Sequence, residues 1–316
     1  MKHVFIVNPV SGKEDASKFL IPHINEAANG LDYIIECTAH RGHAMEIAQK
    51  YANSGEHVRL YACGGDGTLN EVFAGIYGHD NAEVSCVPCG SGNDFVRNFG
   101  EAEDFRDLKD NIDGCPIMID LMRANGGISA AISSVGIDSD VAYAIPKFRR
   151  FPLCGGQMAY TMSIIEQLCS KLGKKVTVEV DGKSFDGNFL LAAVCNGKAY
   201  GGGFNAAPTA DLQDGLLEVV MVKKISRLRI ASVLAKYKNG EHIKDGKVIE
   251  ELSDILTYFN ARKVKITPKD GQNVIANIDG ECSSVACLDV EVIPSCARFV
   301  LPGKICGKYA VAKLGA

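Results

Sequence analysis

Asp66, Thr68 and Asn70 are three hydrogen-bonding side chains set among three glycines in the run Cys63-Gly64-Gly65-Asp66-Gly67-Thr68-Leu69-Asn70-Glu71-Val72. A turn that only connects two elements needs none of them. Each glycine admits backbone angles barred to other residues and omits a side chain that would hold a ligand away. Apolar Leu69, Val72, Phe73 and Ile76 share one helical face, so a helix leaves this turn. Its start aims free N–H groups, and about half a positive charge, at the glycines. The expected guest is an anion, above all a phosphate. Neither G-x-x-x-x-G-K-[ST] nor G-x-G-x-x-G fits the run, and a plain glycine-rich connection is the competing reading.

Similar turns recur. Asn8-Pro9-Val10-Ser11-Gly12-Lys13 offers hydrogen bonds from Asn8, Ser11 and Gly12, and a mobile charge on Lys13. Pro88-Cys89-Gly90-Ser91-Gly92-Asn93-Asp94-Phe95 is a third polar, glycine-rich turn. The elements that must position these residues follow from the apolar runs. Residues 3–8, 31–36, 58–63 and 83–88 read as strands. Helices read over about 15–28, 43–53 and 69–76, between successive strands. Alternating strands and helices predict a parallel sheet, covered on both faces. Such sheets bind ligands at the carboxyl ends of their strands, where all these polar turns fall.

Near Asp120-Leu121 the pattern changes. Short β-rich runs follow at 128–135, 176–180, 189–195, 216–222, 264–266, 274–278 and 288–293, separated by turns such as Asp181-Gly182 and Asn196-Gly197. They predict antiparallel hairpins in a sandwich, interrupted by helices over about 158–172 and 227–238. The fold expected is an α/β, Rossmann-like domain over 1–124 and a β-rich sandwich over 125–294, with the tail 295–316 returning to the first. Asp211 and Asp214 lie in one acidic turn, and Asp279-Gly280-Glu281 follows a strand. Both read equally as exposed hairpin turns. Adjacent carboxylates raise one another's pKa, which suits a base near neutral pH. Lys147-Phe148-Arg149-Arg150-Phe151-Pro152-Leu153 alternates cations with apolar residues, reads as a loop, and suits an anionic bilayer surface.

The whole chain sets bounds. It has 316 residues, 47% of them hydrophobic and 23% charged, and a net charge of −4. That describes a globular two-domain protein with no basic field for nucleic acid. No apolar run approaches the roughly 20 residues of a membrane span. The opening apolar run is too short for a secretory leader. The 12 cysteines are scattered among apolar residues and read as reduced, buried thiols. Cys86-x-x-Cys89 lacks the second pair that a zinc site would want. The expected setting is the cytoplasm, with any membrane contact peripheral to its inner face.

The run from Gly64 to Glu71 resembles the nucleotide signature of the diacylglycerol kinase and sphingosine kinase catalytic domain. Its shorter part, Gly-Gly-Asp-Gly-Thr, also occurs in NAD kinases. Asn8-Pro9-x-Ser11-Gly12-Lys13 is similar to the motif that opens such domains, and Pro88 to Phe95 to a later one, with Ser91 where threonine is usual. The motifs keep the family's order from Asn8 to Glu281. The resemblance is to a bacterial lipid kinase of the YegS/DgkB type. It implies transfer of the γ-phosphoryl group of ATP to a lipid hydroxyl, diacylglycerol first. Nucleotide would lie against Asn8, Pro9, Ser11, Gly12, Lys13, Thr38, Gly64, Gly65, Asp66, Gly67, Thr68, Asn70, Glu71, Ser91, Asn93 and Asp94. Asp279 or Glu281 would act as base. Asp66 or Asp94 would hold the Mg²⁺ that bridges the phosphates. A structural Mg²⁺ is implied at Asp211, Asp214 and the carbonyl of Leu216. The resemblance also implies a lipid partner at the membrane surface and a homodimer. The rival readings are an NAD kinase and a catalytically inactive nucleotide-binding regulator.

Overall fold

A computed structural model describes residues 1–12, 14–90, 92–150 and 156–307. The first part alternates β1 (Lys2–Val7), α1 (Ala16–Ala27), β2 (Tyr33–Cys37), α2 (His43–Ala52), β3 (Val58–Gly64), α3 (Asp66–Ile76) and β4 (Ala82–Pro88). The four strands pair in parallel in the order β4-β3-β1-β2. Strands β1, β3 and β4 are buried nearly throughout, because helices cover both faces. Side chains of α2 and α3, among them Ile47, Val72 and Phe73, pack on one face. Leu20 and Ile24 of α1, with Leu108 of the short α4 (Leu108–Ile112), pack on the other. On that second side Arg59 Nε meets Glu83 Oε1 at 2.5 Å, and Arg59 also donates to the carbonyls of Asn111 and Ile112.

After β5 (Cys115–Ala124) the chain becomes antiparallel. It runs through β6 (Gly127–Ser129), β7 (Ile132–Gly136), α5 (Ile137–Arg149), α6 (Gly156–Cys169), β8 (Lys174–Val180), β9 (Lys183–Cys195), β10 (Leu217–Lys223) and α7 (Arg227–Asn239). A two-stranded ribbon of β11 (Ile243–Lys244) and β12 (Lys247–Val248) precedes β13 (Leu256–Ala261), β14 (Lys263–Pro268), β15 (Val274–Ile278), β16 (Glu281–Val285) and β17 (Leu288–Leu301). Thirteen-residue β9 pairs with β8 along its first half, and with β7 and β10 along its second. Valines of β8, β10 and β14 fill the interior of this β-rich part, and Ile230, Val233 and Tyr237 of α7 cover its outer face.

One pair of strands belongs to both halves. β17 pairs with β5 from Val290↔Ala124 to Leu301↔Cys115, with an irregularity between Ile293 and Ala297. Before that break β17 also pairs with β14; after it, Phe299 sits beside Val84 of β4. At the break the buried Asp120 carboxylate accepts the Ser295 N–H at 2.6 Å and the Gly215 N–H at 2.7 Å.

Two expectations need correction. Lys147 to Arg149 end helix α5 and are not a loop; Phe151 to Leu153 lie outside the described residues. α5 runs through Pro146 and packs against α6, β7 and β15. The thiols are not all reduced: Cys115 is joined to Cys306, which fastens the segment after β17 to the start of β5. Cys86 and Cys89 are free.

Phe299 is the residue through which β17 supports the site. Its ring lies 5.2 Å from those of Phe95 and Phe99, directly behind Asp94. Phe299→Ala is expected to destabilise the protein by about 3–5 kcal/mol in a urea titration, by leaving a cavity in this cluster.

Candidate active site

Helix α3 begins at Asp66, one turn before its apolar periodicity, so Asp66, Gly67 and Thr68 form its first turn. The glycines of this run do not serve through unusual backbone angles, because Gly64, Gly65 and Gly67 are not among the residues with positive φ. They make room. A Cβ on Gly64 would lie 2.6 Å from Thr68 Cβ. A Cβ on Gly90 would lie 2.7 Å from Gly65 Cα, so the turns after β3 and β4 touch backbone to backbone. Gly67 faces open space. On this rim only Gly12 combines a positive φ, +93°, with crowding, its Cβ position lying 3.0 Å from the carbonyl oxygen of Cys89.

The rim is tied together by its own polar side chains. Asn8 Nδ2 donates to Thr68 Oγ1 at 3.0 Å, linking the β1 and β3 turns. Asn8 Oδ1 accepts the Val10 N–H, and Thr38 N–H donates to the Val7 carbonyl. Glu71, counted above with the nucleotide contacts, has another task. Its two oxygens accept the N–H groups of Gly42 and Ala44 at 2.8 and 3.1 Å, capping α2. Pro9, Ser11 and Gly12 line the turn after β1, while Asn70 holds a buried Oδ1 with no hydrogen-bond partner. Lys13 and Ser91 lie outside the described residues.

Two carboxylates converge beside the glycines. Asp66 Oδ1 accepts the Phe95 N–H at 3.0 Å. A Cβ built on Gly92 would lie 3.0 Å from Asp66 Oδ2 and 3.4 Å from Asp94 Oδ2, so both oxygens face one spot. Burial pushes the Asp94 carboxyl above its ordinary value, and the Asp66 charge adds to this. Asp94 Oδ2 accepts the Gly202 N–H at 2.7 Å; its Oδ1 is buried, without a hydrogen bond, 3.5 Å from Arg97 Nε. Asn93, at φ 52°, bonds the Gly90 carbonyl and leaves its own Oδ1 unpartnered. A buried carboxylate oxygen without a donor, beside a second carboxylate, suits a hard cation. Among the described residues no group of three or more His, Cys, Asp or Glu side chains is arranged to hold a metal. A cation here would therefore complete its shell with phosphate and water oxygens.

The two acids that the sequence left undivided separate. Asp279 sits at φ 47°, and its carboxylate accepts the N–H groups of Ala130, Ala131 and Ile132 at 2.6 to 3.0 Å. Burial pushes its carboxyl up, and these donors pull it back. It anchors the turn between β6 and β7. Glu281 is exposed and forms an ion pair with Arg41, on the loop between β2 and α2. So the β-rich half touches the rim of the parallel sheet at both of its ends. Gly202 meets Asp94 beyond β4, and Glu281 meets Arg41 beyond β2. The β3 and β1 turns lie between these bridges.

Sequence reading missed Arg41, Asp138 and Asp120. Arg41 follows a strand end as Lys13 does, and the same argument would have found it. Asp138 lies two residues after Gly136 at a strand-to-helix turn, as Asp66 lies two after Gly64. Burial raises its carboxyl while Ser134 Oγ donates to it at 2.6 Å. In the 211–216 turn, Asp211 and Asp214 accept the N–H groups of Gln213 and Leu216. Burial, then the charges of Asp211 and Asp120, raise the Asp214 carboxyl.

Comparison with known proteins agrees with this layout. The diacylglycerol kinase catalytic domain matches residues 2–124, and the YegS C-terminal NAD kinase beta sandwich-like domain matches residues 131–301. A diacylglycerol kinase of Bacillus subtilis is 32% identical over 280 residues, which is 87% of this chain and 88% of its own. In fold, a diacylglycerol kinase from Bacillus anthracis aligns at a TM-score of 0.68 and 19% identity, covering 96% of this chain and 98% of that one. An NAD kinase from Archaeoglobus fulgidus, in complex with ATP, aligns at 0.51 and 13%, covering 98% of each.

The contrast between Gly64 and Gly67 tests whether a ligand approaches this turn. Gly64→Ala should destabilise by about 1–3 kcal/mol through overpacking against Thr68. Gly67→Ala meets nothing in the protein and should stabilise the helix by about 0.5–1 kcal/mol. If phosphates pack on the turn, Gly67→Ala still weakens nucleotide binding in calorimetry; unchanged affinity would remove the turn from the site.

Proposed function

Since the chain belongs to the diacylglycerol kinase family and is a lipid kinase, we propose that it transfers the γ-phosphoryl group of ATP to the hydroxyl of diacylglycerol. The observation that carries this reading is the pair of bridges across the rim. They join the β-rich half to the rim on either side of the α3 N-terminus, where a triphosphate would find free N–H groups. The phosphates would lie over Gly65, Gly67 and Thr68, with Asn8, Ser11, Gly12 and Thr38 beside them. Transfer of a phosphoryl group asks mainly for alignment and charge neutralisation. Mg²⁺ at Asp66 and Asp94 would supply the neutralisation when bound. A second cation at Asp211, Asp214 and the Leu216 carbonyl would offset the burial, and the lesser repulsion, that raise Asp214.

Glu281 is the better base. Asp279 is engaged by three backbone donors, and losing them would strand buried N–H groups. The Glu281 pair with Arg41 is exposed, so it yields to substrate at little cost. The acceptor hydroxyl would enter between Arg41 and Gly202. The lipid would be met at a membrane surface; no helix among the described residues is long and apolar enough to cross one.

A panel of diacylglycerol, sphingosine, undecaprenol and NAD⁺ with labelled ATP tests the reaction. Diacylglycerol should be phosphorylated fastest, and phosphorylation of NAD⁺ alone would overturn the proposal. Glu281→Gln should lower kcat by about 10²–10⁴-fold with nucleotide affinity unchanged, as expected for a lost general base. Asp279→Asn should instead lower stability.

Asp94 gives a pH test with a definite sign. Its folded pKa is raised, so its charge opposes folding once pH passes that value, and stability is lost as pH rises through it. Asp94→Asn should therefore raise the unfolding midpoint at neutral pH while abolishing turnover. In the unmodified protein, kcat/KM should fall on the acid side above the ordinary carboxylate range. Added Mg²⁺ should move that limb to lower pH, since the ion competes with the proton.

A further inference from the structure

Arg41 stands on a turn that is braced from within. Thr38 N–H donates to the Val7 carbonyl at 2.9 Å, so the chain leaves β2 beside the β1 turn. Ala39 N–H then donates to His43 Nδ1, and His40 Nδ1 donates to the Arg41 carbonyl, both at 2.9 Å. The two imidazoles stack, and Gly42 closes the turn at φ +86°. The backbone of Arg41 is held while its side chain stands exposed. A second brace comes from the helix that faces the phosphates. Glu71 of α3 accepts the N–H groups of Gly42 and Ala44, directly after Arg41. Glu71 lies about 7.5 Å along the helix axis from Asp66, which opens the first turn of α3. An extended arginine side chain spans a comparable distance.

The guanidinium has a choice of anions. It pairs with Glu281 across the crevice, in solvent, where such a pair contributes little. A triphosphate carrying one divalent cation keeps a net negative charge, and its terminal group offers the paired oxygens that an arginine fork fits best. Arg97, at the opposite edge, already lies 3.5 Å from Asp94. We propose that Arg41 is a clamp for the γ-phosphate of ATP, resting on Glu281 while the site is empty and leaving it when the terminal phosphate arrives. Glu71 is the positioning residue that keeps the clamp within reach. This rests on the reading of the chain as an ATP-dependent kinase. The acid assigned as base is thereby held while there is nothing to transfer, and freed when there is. After transfer ADP lacks the clamped group, so the guanidinium returns to Glu281 and product leaves.

Calorimetry with the β,γ-imido analogue of ATP and with ADP, each with Mg²⁺, tests the clamp without turnover. Arg41→Ala changes an exposed side chain, and its circular dichroism and thermal midpoint should match the wild type. It should bind the analogue about 10–100-fold more weakly, the worth of a charge-assisted bond, and ADP within about twofold of the wild type. Arg41→Lys should recover part of the loss, since it keeps the charge and loses the fork. Glu281→Gln breaks the same resting pair and should leave both affinities unchanged. Glu71→Ala should weaken the analogue more than ADP, and adding Arg41→Ala to it should cost little more, because the two act through one contact. An Arg41→Ala protein that still favours the analogue over ADP as the wild type does would overturn the proposal. So would an equal loss for both nucleotides, or the same loss in Glu281→Gln, since Arg41 would then serve the turn or the ion pair and not the terminal phosphate. A wild type that shows the expected contrast but phosphorylates no diacylglycerol would support the clamp and sink the diacylglycerol reading alone.

Discussion

The crevice has a fixed geometry because two strands, β5 and β17, belong to both halves of the molecule. Domains joined by a loop can rotate; domains that share a hydrogen-bonded ladder cannot do so without breaking it. The irregularity after Ile293 is where β17 leaves one sheet for the other. A buried charge pins that point. Asp120 accepts the N–H groups of Ser295 and Gly215, from two separate segments. Removing those donors would leave the carboxylate uncompensated, so the bend holds its shape. The same strand then carries Phe299 under the 92–95 turn. One ladder thus sets both the angle between the halves and the height of Asp94.

On that frame the site accumulates negative charge. Asp66 at the start of α3 is favourable in itself, since an acid near a helix N-terminus meets the positive end of the dipole. Asp94 beside it is not, and burial and the Asp66 charge raise its carboxyl. Folding alone would not select this arrangement. On the proposed reading a cation would answer the acids and the N–H groups would answer the phosphates. The strain is held where chemistry needs it.

The parallel sheet was legible because its strands are continuous apolar runs, each followed by a helix of clear periodicity. The polar turns were legible because ligand sites of such sheets must lie at the carboxyl rim. What the glycines do there was not. Gly90 is required by Gly65, across a neighbouring strand, and Gly64 by the way Thr68 folds back over one helical turn, and neither crowding shows before the turns are folded. β5 was missed for a related reason. It is exposed on alternate residues at first and then buried except at Arg123, so no single period describes it. The acidic turn at 279–281 was found, but only the structure separates an acid enclosed by backbone donors from one projecting over the rim.

The two bridges across the crevice differ in kind. At the β4 edge the bond from Gly202 to the buried Asp94 is short and part-buried, and Asn98 Oδ1 accepts the Lys198 N–H at 2.8 Å beside it. Opening that edge would leave a buried carboxylate short of a donor, which costs more than the bond itself is worth. At the β2 edge the Arg41–Glu281 pair stands in solvent, where exposed pairs contribute little and exchange readily. A kinase base must be free to take a proton, yet close enough to the phosphate to act. On the proposed reading Glu281 suits that role, because its half of the molecule is bonded to the far edge through Gly202 and Asp94 while its own contact with Arg41 is exposed. An acid on the β4 side would be well placed and immobile, as Asp94 is, and is fit to hold an ion and not to move a proton.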